Sequence, residues 1–350
     1  MFKVNRRMKN YAALVFTGLI CTSIGTAADS VTYSVVPRAT VERRLGQFGG
    51  EDREREATLR KMFLDAGCDE QHVVEQQVKG SKLPNIICTL AGTSDKFIIV
   101  GAHFDHVSLG DGVVDNWSGA SLLPSLYQSL KTAPRRHSFI FIGFTDEERG
   151  EIGSHFYVKQ MTREQVASTD AMVNMDTLGL APTEVWASHS DKRLTSDLAF
   201  IAKQMGVPLS GVDVDQIGST DSEQFAERKI PRITIHSLTQ QAWNARILHG
   251  PKDKFSAIQL DDYYQSYSLI AAYLAYADQV AGYWYRRRLN DGKPHSSLGV
   301  RLPLPCQISR VEIVKLSESS PRLETIRSGS NSQGSNARFG SRRTHAARNP

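Results

Sequence analysis

Short apolar runs alternate with longer stretches of helical spacing along most of the chain. "DKFIIVGAH" (95–103), "HSFIFIGF" (137–144), "DAMVNMD" (170–176) and "PRITIHS" (231–237) are nearly continuous in apolar residues, the pattern of strands buried on both faces. "QHVVEQQV" (71–78), "PNIICTL" (84–90) and "TEVWAS" (183–188) add further strands, the first two joined by a turn at "KGSKLP". Between them, residues 116–131, 151–161, 191–205 and 221–228 carry helical spacing, as does 39–68 with Leu45, Leu59, Met62, Phe63 and Leu64 as its buried set. A long helix closes the series over 261–285, where Leu269, Tyr273, Tyr276 and Val280 repeat on one face and read as core. Strands and helices in this order predict one α/β domain, three layers deep, with a mostly parallel central sheet and no internal repeat.

The pattern fails at both ends. Residues 1–28 join a basic segment to the apolar "YAALVFTGLICTSIG" and then to small residues, which reads as a signal peptide cleaved near Ala27 or Ala28. About 15 apolar residues fall short of the roughly 20 that span a bilayer, so no stable membrane anchor is expected after cleavage. The chain is therefore expected to be secreted or periplasmic. The mature domain spans 29–288. Past Arg288 the sequence is rich in Ser, Gly, Asn and Arg and reads as a disordered basic tail over 289–350, dispensable or a polyanion-binding arm.

Charge sharpens this division. The net charge is +5 over 350 residues, but the leader carries +4, and residues 286–350 hold 13 Lys+Arg against 4 Asp+Glu. That leaves −8 for the body, which argues against a nucleic-acid partner. After cleavage Cys68, Cys88 and Cys306 remain, too few for a disulfide scaffold and without a C-x-x-C metal pair. An oxidising compartment would allow a Cys68–Cys88 bridge.

Ligands in open α/β sheets bind beyond the carboxyl ends of the strands. At those ends the chain places His103, then Glu147 and Glu148, then Asp176, with Asp115 and His249 in loops. Each has an ordinary alternative: Asp115 as a helix N-cap, the glutamates favouring a helix dipole, Asp176 starting a turn, His103 buried and hydrogen-bonded, His249 on a surface loop. Six at one edge are better explained together. Imidazole and carboxylate without thiolate suit catalytic zinc, and a pair of ions needs a shared carboxylate, for which Asp115 is placed. Asp105 lies two residues after His103, on the same side of an extended chain, where its carboxylate could orient the imidazole. Glu147 and Glu148 are adjacent, so one can hold metal while the other serves as a general base.

The stretches "GAHFDH", "DNWSGAS", "DEERGEIGS", "NMDTLG", "STDSEQF" with "KIP", and "LHGPKD" occur in that order between about Glu54 and Gln279. Together they resemble the two-zinc exopeptidases of metallopeptidase family twenty-eight, mostly secreted aminopeptidases acting on peptides with a free N-terminus. The resemblance implies two Zn²⁺ per chain. His103, Asp115 and Asp176 would hold one, and Asp115, Glu148 and His249 the other. It assigns Glu147 as the acid/base and Asp105 as the orienting acid. The chain departs from the family pattern at Ser222, where a histidine is common, and at Leu248, where a tyrosine is common. His106, His137, His155, His189 and His236 match no ligand position. Two rival readings are a glutaminyl-cyclase-like aminoacyl transferase, which works with one zinc, and a binding domain that has lost its chemistry. Retention of every ligand position favours hydrolysis over both.

Overall fold

A computed structural model of the chain describes residues 29–291, 311–317 and 324–325. In chain order the elements are β1 (Asp29–Val35), α1 (Arg38–Leu45), α2 (Asp52–Asp65), β2 (Val73–Gln76), β3 (Asn85–Leu90) and β4 (Phe97–His103). After a wide helical turn at Val113–Trp117 come α3 (Ser118–Ala120), α4 (Leu123–Leu130), β5 (Ser138–Phe144), α5 (Ile152–Gln160), α6 (Arg163–Ser168) and β6 (Thr169–Met175). Then follow β7 (Glu184–Val185), α7 (Lys192–Met205), β8 (Ser210–Gly211), α8 (Ser222–Glu227), β9 (Arg232–His236), α9 (Gln240–Asn244), α10 (Leu260–Asp291), β10 (Val311–Ser317) and β11 (Glu324–Thr325).

Eight strands form one sheet in the order β2-β3-β5-β4-β6-β9-β7-β8. Its centre, β5-β4-β6-β9, is parallel, while β2, β3 and β7 pair antiparallel with their inner neighbours. The expected α/β fold with a three-layer arrangement is present, with a parallel centre in a mixed sheet. Strand β4 shows why its sequence is continuously apolar. Ile98, Val100 and Ala102 pack into the layer built by α1, α2, α4, α7 and α10, whereas Ile99 packs into the opposite layer with Val158 of α5 and Phe225 of α8. All four are fully buried, and each large aliphatic contributes roughly 1.5–3 kcal/mol. Parallel pairing keeps His103 beside Phe144, so β4, β5 and β6 release their following loops at a common edge.

Several boundaries differ from expectation. The helix expected over 39–68 is two helices, α1 and α2, broken at residues 46–51, where Gly46, Gly49 and Gly50 remove helical preference. Leu45, Leu59, Met62 and Phe63 are buried as expected, with Leu64 half-buried. The helix expected over 116–131 is also broken. Asn116 leaves helical geometry, and its Oδ1 accepts hydrogen bonds from the amides of Gly119 (2.9 Å) and Thr177 (3.2 Å). Pro124 lies in the first turn of α4, where a missing N–H costs nothing. Leu269, Tyr273 and Tyr276 of α10 are buried as core; the side chain of Val280 lies outside the described residues.

The largest correction concerns the tail. Helix α10 runs to Asp291, past the Arg288 boundary, and β10 and β11 lie within the segment expected to be disordered. Strand β10 pairs in parallel with β1, from Asp29↔Val311 to Val35↔Ser317. "VEIVKLS" is rich in strand-forming β-branched residues, and β1 offers it unpaired backbone groups to satisfy. The proposed signal peptide and Cys306 lie outside the described residues. Cys68 and Cys88 form a disulfide that ties the end of α2 to β3.

His137 shows how the fold holds a buried imidazole. Its Nδ1 lies 3.0 Å from Asp278 and its Nε2 lies 3.2 Å from Asp170, and the Asp278 carboxylate also accepts from the His137 amide at 2.7 Å. Burial alone would lower its pKa, but the two carboxylates outweigh burial and raise it from 6.5 to about 9. A histidine raised on folding contributes stability fully below its unfolded value, and that contribution is lost as pH rises through the folded value. Melting temperature should therefore decline between about pH 7 and pH 9.5, and less steeply in His137→Asn. Equal slopes in the two proteins would remove this role.

Candidate metal centre

The common sheet edge gathers the expected residues. His103 ends β4, and its Nε2 lies 3.3 Å from Asp115 Oδ1, 3.8 Å from Asp176 Oδ1 and 3.8 Å from Glu147 Oε2. Asp115 follows in the wide turn, where the Asp115–Asn116 peptide is cis. Its other oxygen, Oδ2, lies 3.2 Å from His249 Nε2, which in turn lies 2.9 Å from Glu148 Oε2. Asp115 caps no helix; one oxygen faces each histidine. Asp176 leaves β6, and its Oδ2 accepts a hydrogen bond from Thr220 Oγ1 at 2.7 Å.

The supporting bonds begin with Asp105. Asp105, the acid expected to orient His103, faces its imidazole with two oxygens. Its carboxylate Oδ1 is 3.5 Å from His103 Nδ1, and the closer acceptor is its main-chain oxygen at 3.2 Å. The two carboxylate oxygens also accept from the amides of Glu147 and Glu148, each at 3.1 Å. One buried acid thus fixes both the imidazole and the turn that aims the adjacent glutamates in different directions.

Two further anchors, Asp253 and Arg55, are not among the residues singled out from the sequence. Asp253 is buried, and its carboxylate accepts from the amides of Val114 (2.7 Å) and Asp115 (3.1 Å), locking the shared aspartate. Arg55 of α2 is fully buried. It donates to the main-chain oxygens of Gly49 (3.0 Å), Gly112 (2.9 Å) and Asp111, so it clamps the loop between His103 and Asp115. Hydrogen bonds from a charged group contribute about 1.5–3 kcal/mol each. Arg55→Met should therefore cost about 3 kcal/mol or more of stability and weaken metal retention. A thermal melt beside a zinc-binding titration checks this, and an unchanged melt would show that the loop holds itself.

The charges point to a cation. Burial pushes Asp115 upward, but His103 and His249 outweigh it and hold its carboxyl below the ordinary range. Its bonds to Asp115 and Glu148 raise His249 to about 11. Burial raises Glu147 well above the ordinary carboxyl range; His103 opposes this, and Asp221, Asp176 and Asp115 add to it. Four carboxylates surround two imidazoles, and Glu148 Oε1 is buried without a hydrogen-bond partner. Nitrogen and oxygen donors alone are what zinc takes at catalytic sites. His103, Asp115 and Asp176 converge within 4.8 Å of one another, as do Asp115, Glu148 and His249, so Asp115 belongs to both groups. A third grouping joins His103, Glu147 and Glu148.

The site opens into a cleft of about 1020 Å³, lined by both glutamates, Asp115, Asp176 and the 243–251 segment. Six non-glycine residues among those described have positive φ: Asp146, Glu151, Thr177, Lys229, Arg246 and His249. Four of these, Glu151, Thr177, Arg246 and His249, line the cleft. Such backbone costs of order 1 kcal/mol or more each and collects where function fixes geometry.

Comparison with known proteins agrees with this geometry. Aminopeptidase YwaD of Bacillus subtilis (strain 168) is 24% identical over 231 residues, covering 63% of this chain and 47% of its own length. The chain thus spans about half of that relative. The LapA aminopeptidase of Legionella pneumophila superposes with a TM-score of 0.59 at 19% identity, over 69% of this chain and 70% of its own. A glutaminyl cyclase from an Acidobacteriales bacterium gives the same TM-score at 14% identity, over 73% and 97%. At these identities the superpositions establish the shared fold alone. The model of Peptidase family M28 matches residues 85–274, more than half the chain and every residue of the candidate donor groups, and the chain belongs to that family.

Proposed function

We propose that the protein is a two-zinc aminopeptidase that removes N-terminal residues from peptides. The observation that carries this reading is Asp115, whose two oxygens face the two histidines from opposite donor groups. His103, Asp115 and Asp176 would hold one ion, and Asp115, Glu148 and His249 the other. Zinc bound there would supply Lewis acidity, polarising the scissile carbonyl and acidifying water.

The chain's own residues do the rest. Glu147 lines the cleft beside both groups, and its burial gives it the proton affinity that acid/base work needs. Its carboxylate takes the proton of the attacking water and then gives it to the nitrogen of the departing amine. Asp105 keeps Glu147 aimed by accepting its amide. Carboxylates of the site, Glu148 among them, would receive the free α-ammonium group. Leu109, 63% exposed at the cleft, and Trp243, Leu248 and Pro251 offer apolar surface to the first side chain.

The cyclase reading shares the fold but needs one ion; the shared Asp115 and the presence of both donor groups favour hydrolysis. We read residues 1–28 as a leader removed on export and the protein as secreted or periplasmic. The Cys68–Cys88 disulfide suits an oxidising compartment, and no helix among the described residues is long and apolar enough to cross a membrane. Zinc-loaded protein should cleave leucyl-nitroanilide and leave its N-acetyl derivative intact. Equal cleavage of the two would overturn the requirement for a free amine.

A further inference from the structure

The cleft contains a cation that the proposed chemistry does not use. Five carboxylates line it, from Asp115, Glu147, Glu148, Glu151 and Asp176, and Arg246 is the one arginine or lysine among its lining residues. Arg246 is exposed, and its guanidinium makes no ion pair or hydrogen bond with the described residues. Glu151, the acid furthest from the metal donors in role, is already engaged by Ser219 and by Gln224 at 2.7 Å. Arg246 is therefore not consumed in balancing the acids around it.

Its backbone argues the same way. Arg246 follows the end of α9 with φ of 53°, the left-handed position after a helix where glycine is favoured. Glycine fits that backbone better than arginine, so turn stability does not account for the arginine. Arg246 also precedes His249 by three residues, which limits their separation to about 11 Å. A dipeptide extends about 7 Å on the same scale. A peptide held at the metal donors by its amine end would bring a carboxylate within reach of the guanidinium.

We propose that Arg246 receives a substrate carboxylate close to the scissile bond, either the C-terminus of a very short peptide or the side chain of an acidic residue. Arginine suits this role because its planar fork matches a carboxylate with two parallel N–H donors. This inference rests on the aminopeptidase reading and narrows it to substrates bearing a carboxylate near the cut.

The test compares zinc-loaded wild type with Arg246→Gly and Arg246→Lys on leucyl-glycine, leucyl-glycinamide, leucyl-nitroanilide and glutamyl-nitroanilide. Arg246→Gly should lower kcat/KM for a carboxylate-bearing substrate by about 10–100-fold, the usual worth of one charge-assisted pair. It should leave leucyl-glycinamide and leucyl-nitroanilide within about twofold. Melting temperature should not fall, because glycine fits the backbone better, and Arg246→Lys should recover part of the loss. A loss on leucyl-glycine alone assigns the carboxylate to the C-terminus, and a loss on glutamyl-nitroanilide alone assigns it to the first side chain. Equal losses on all four substrates, or none, would overturn the proposal while leaving the aminopeptidase reading intact. Wild-type protein that cleaves none of them would overturn that reading, and this inference with it.

Discussion

Glu147→Gln should retain its full zinc content and lose turnover by at least about 10²–10⁴-fold, the usual contribution of a general base. The substitution keeps the size and hydrogen-bonding capacity of the side chain but removes the site that accepts the water's proton. Glu147 lines the cleft and is held by Asp105 through its amide, which the substitution leaves alone. The turn should therefore keep its shape, and the defect should fall on kcat rather than on metal or KM. A variant that keeps zinc and stays fully active would show that another group moves the proton. A variant that loses zinc would place Glu147 among the ligands, as the grouping of His103, Glu147 and Glu148 would allow.

Asp115→Asn should have the widest consequence of any single change, because its carboxylate belongs to both donor groups. Removing the charge takes a ligand from each ion and the bridge that offsets their repulsion. Loss of a residue that merely supports a ligand costs 10–100-fold in metal affinity, so loss of a shared ligand should cost at least about 10² for both ions together. Glu148→Gln removes one donor from one group, so a single ion should be lost. Equilibrium dialysis against zinc separates these outcomes. Equal retention in the two variants would show that Asp115 is not shared.

Much of this arrangement is legible in the sequence for a physical reason. A parallel sheet buried on both faces writes continuous apolar runs, and the residues just past those runs lie at one edge. His103, Glu147, Glu148 and Asp176 can therefore be placed together from the sequence, with Asp115 and His249 in loops at the same edge. What the pattern hid was held by single contacts. Arg55 looks like any arginine of a charged helix, yet it is buried against three carbonyls. Asp253 lies in the "LHGPKD" stretch, but its bond to two amides of a loop 138 residues away leaves no local trace. Asp105 faces its expected neighbour His103 with both its carboxylate and its main-chain oxygen, a pairing that spacing alone does not distinguish. Strand β1 alternates Val31, Tyr33 and Val35 at the start of the described residues, where the flanking sequence gives a short strand little contrast. Strand β10 was submerged in a segment whose average composition is that of an unfolded chain.

Zinc counted per chain beside leucyl-nitroanilide turnover, in wild type, Glu147→Gln and Asp115→Asn, tests the two-ion centre most directly. The expected result is two zincs with rapid turnover in wild type, two zincs with turnover down at least about 10²-fold in Glu147→Gln, and loss of both zinc and turnover in Asp115→Asn. One zinc per chain in fully active wild type, or an Asp115→Asn protein that keeps two zincs, would contradict a centre bridged by Asp115.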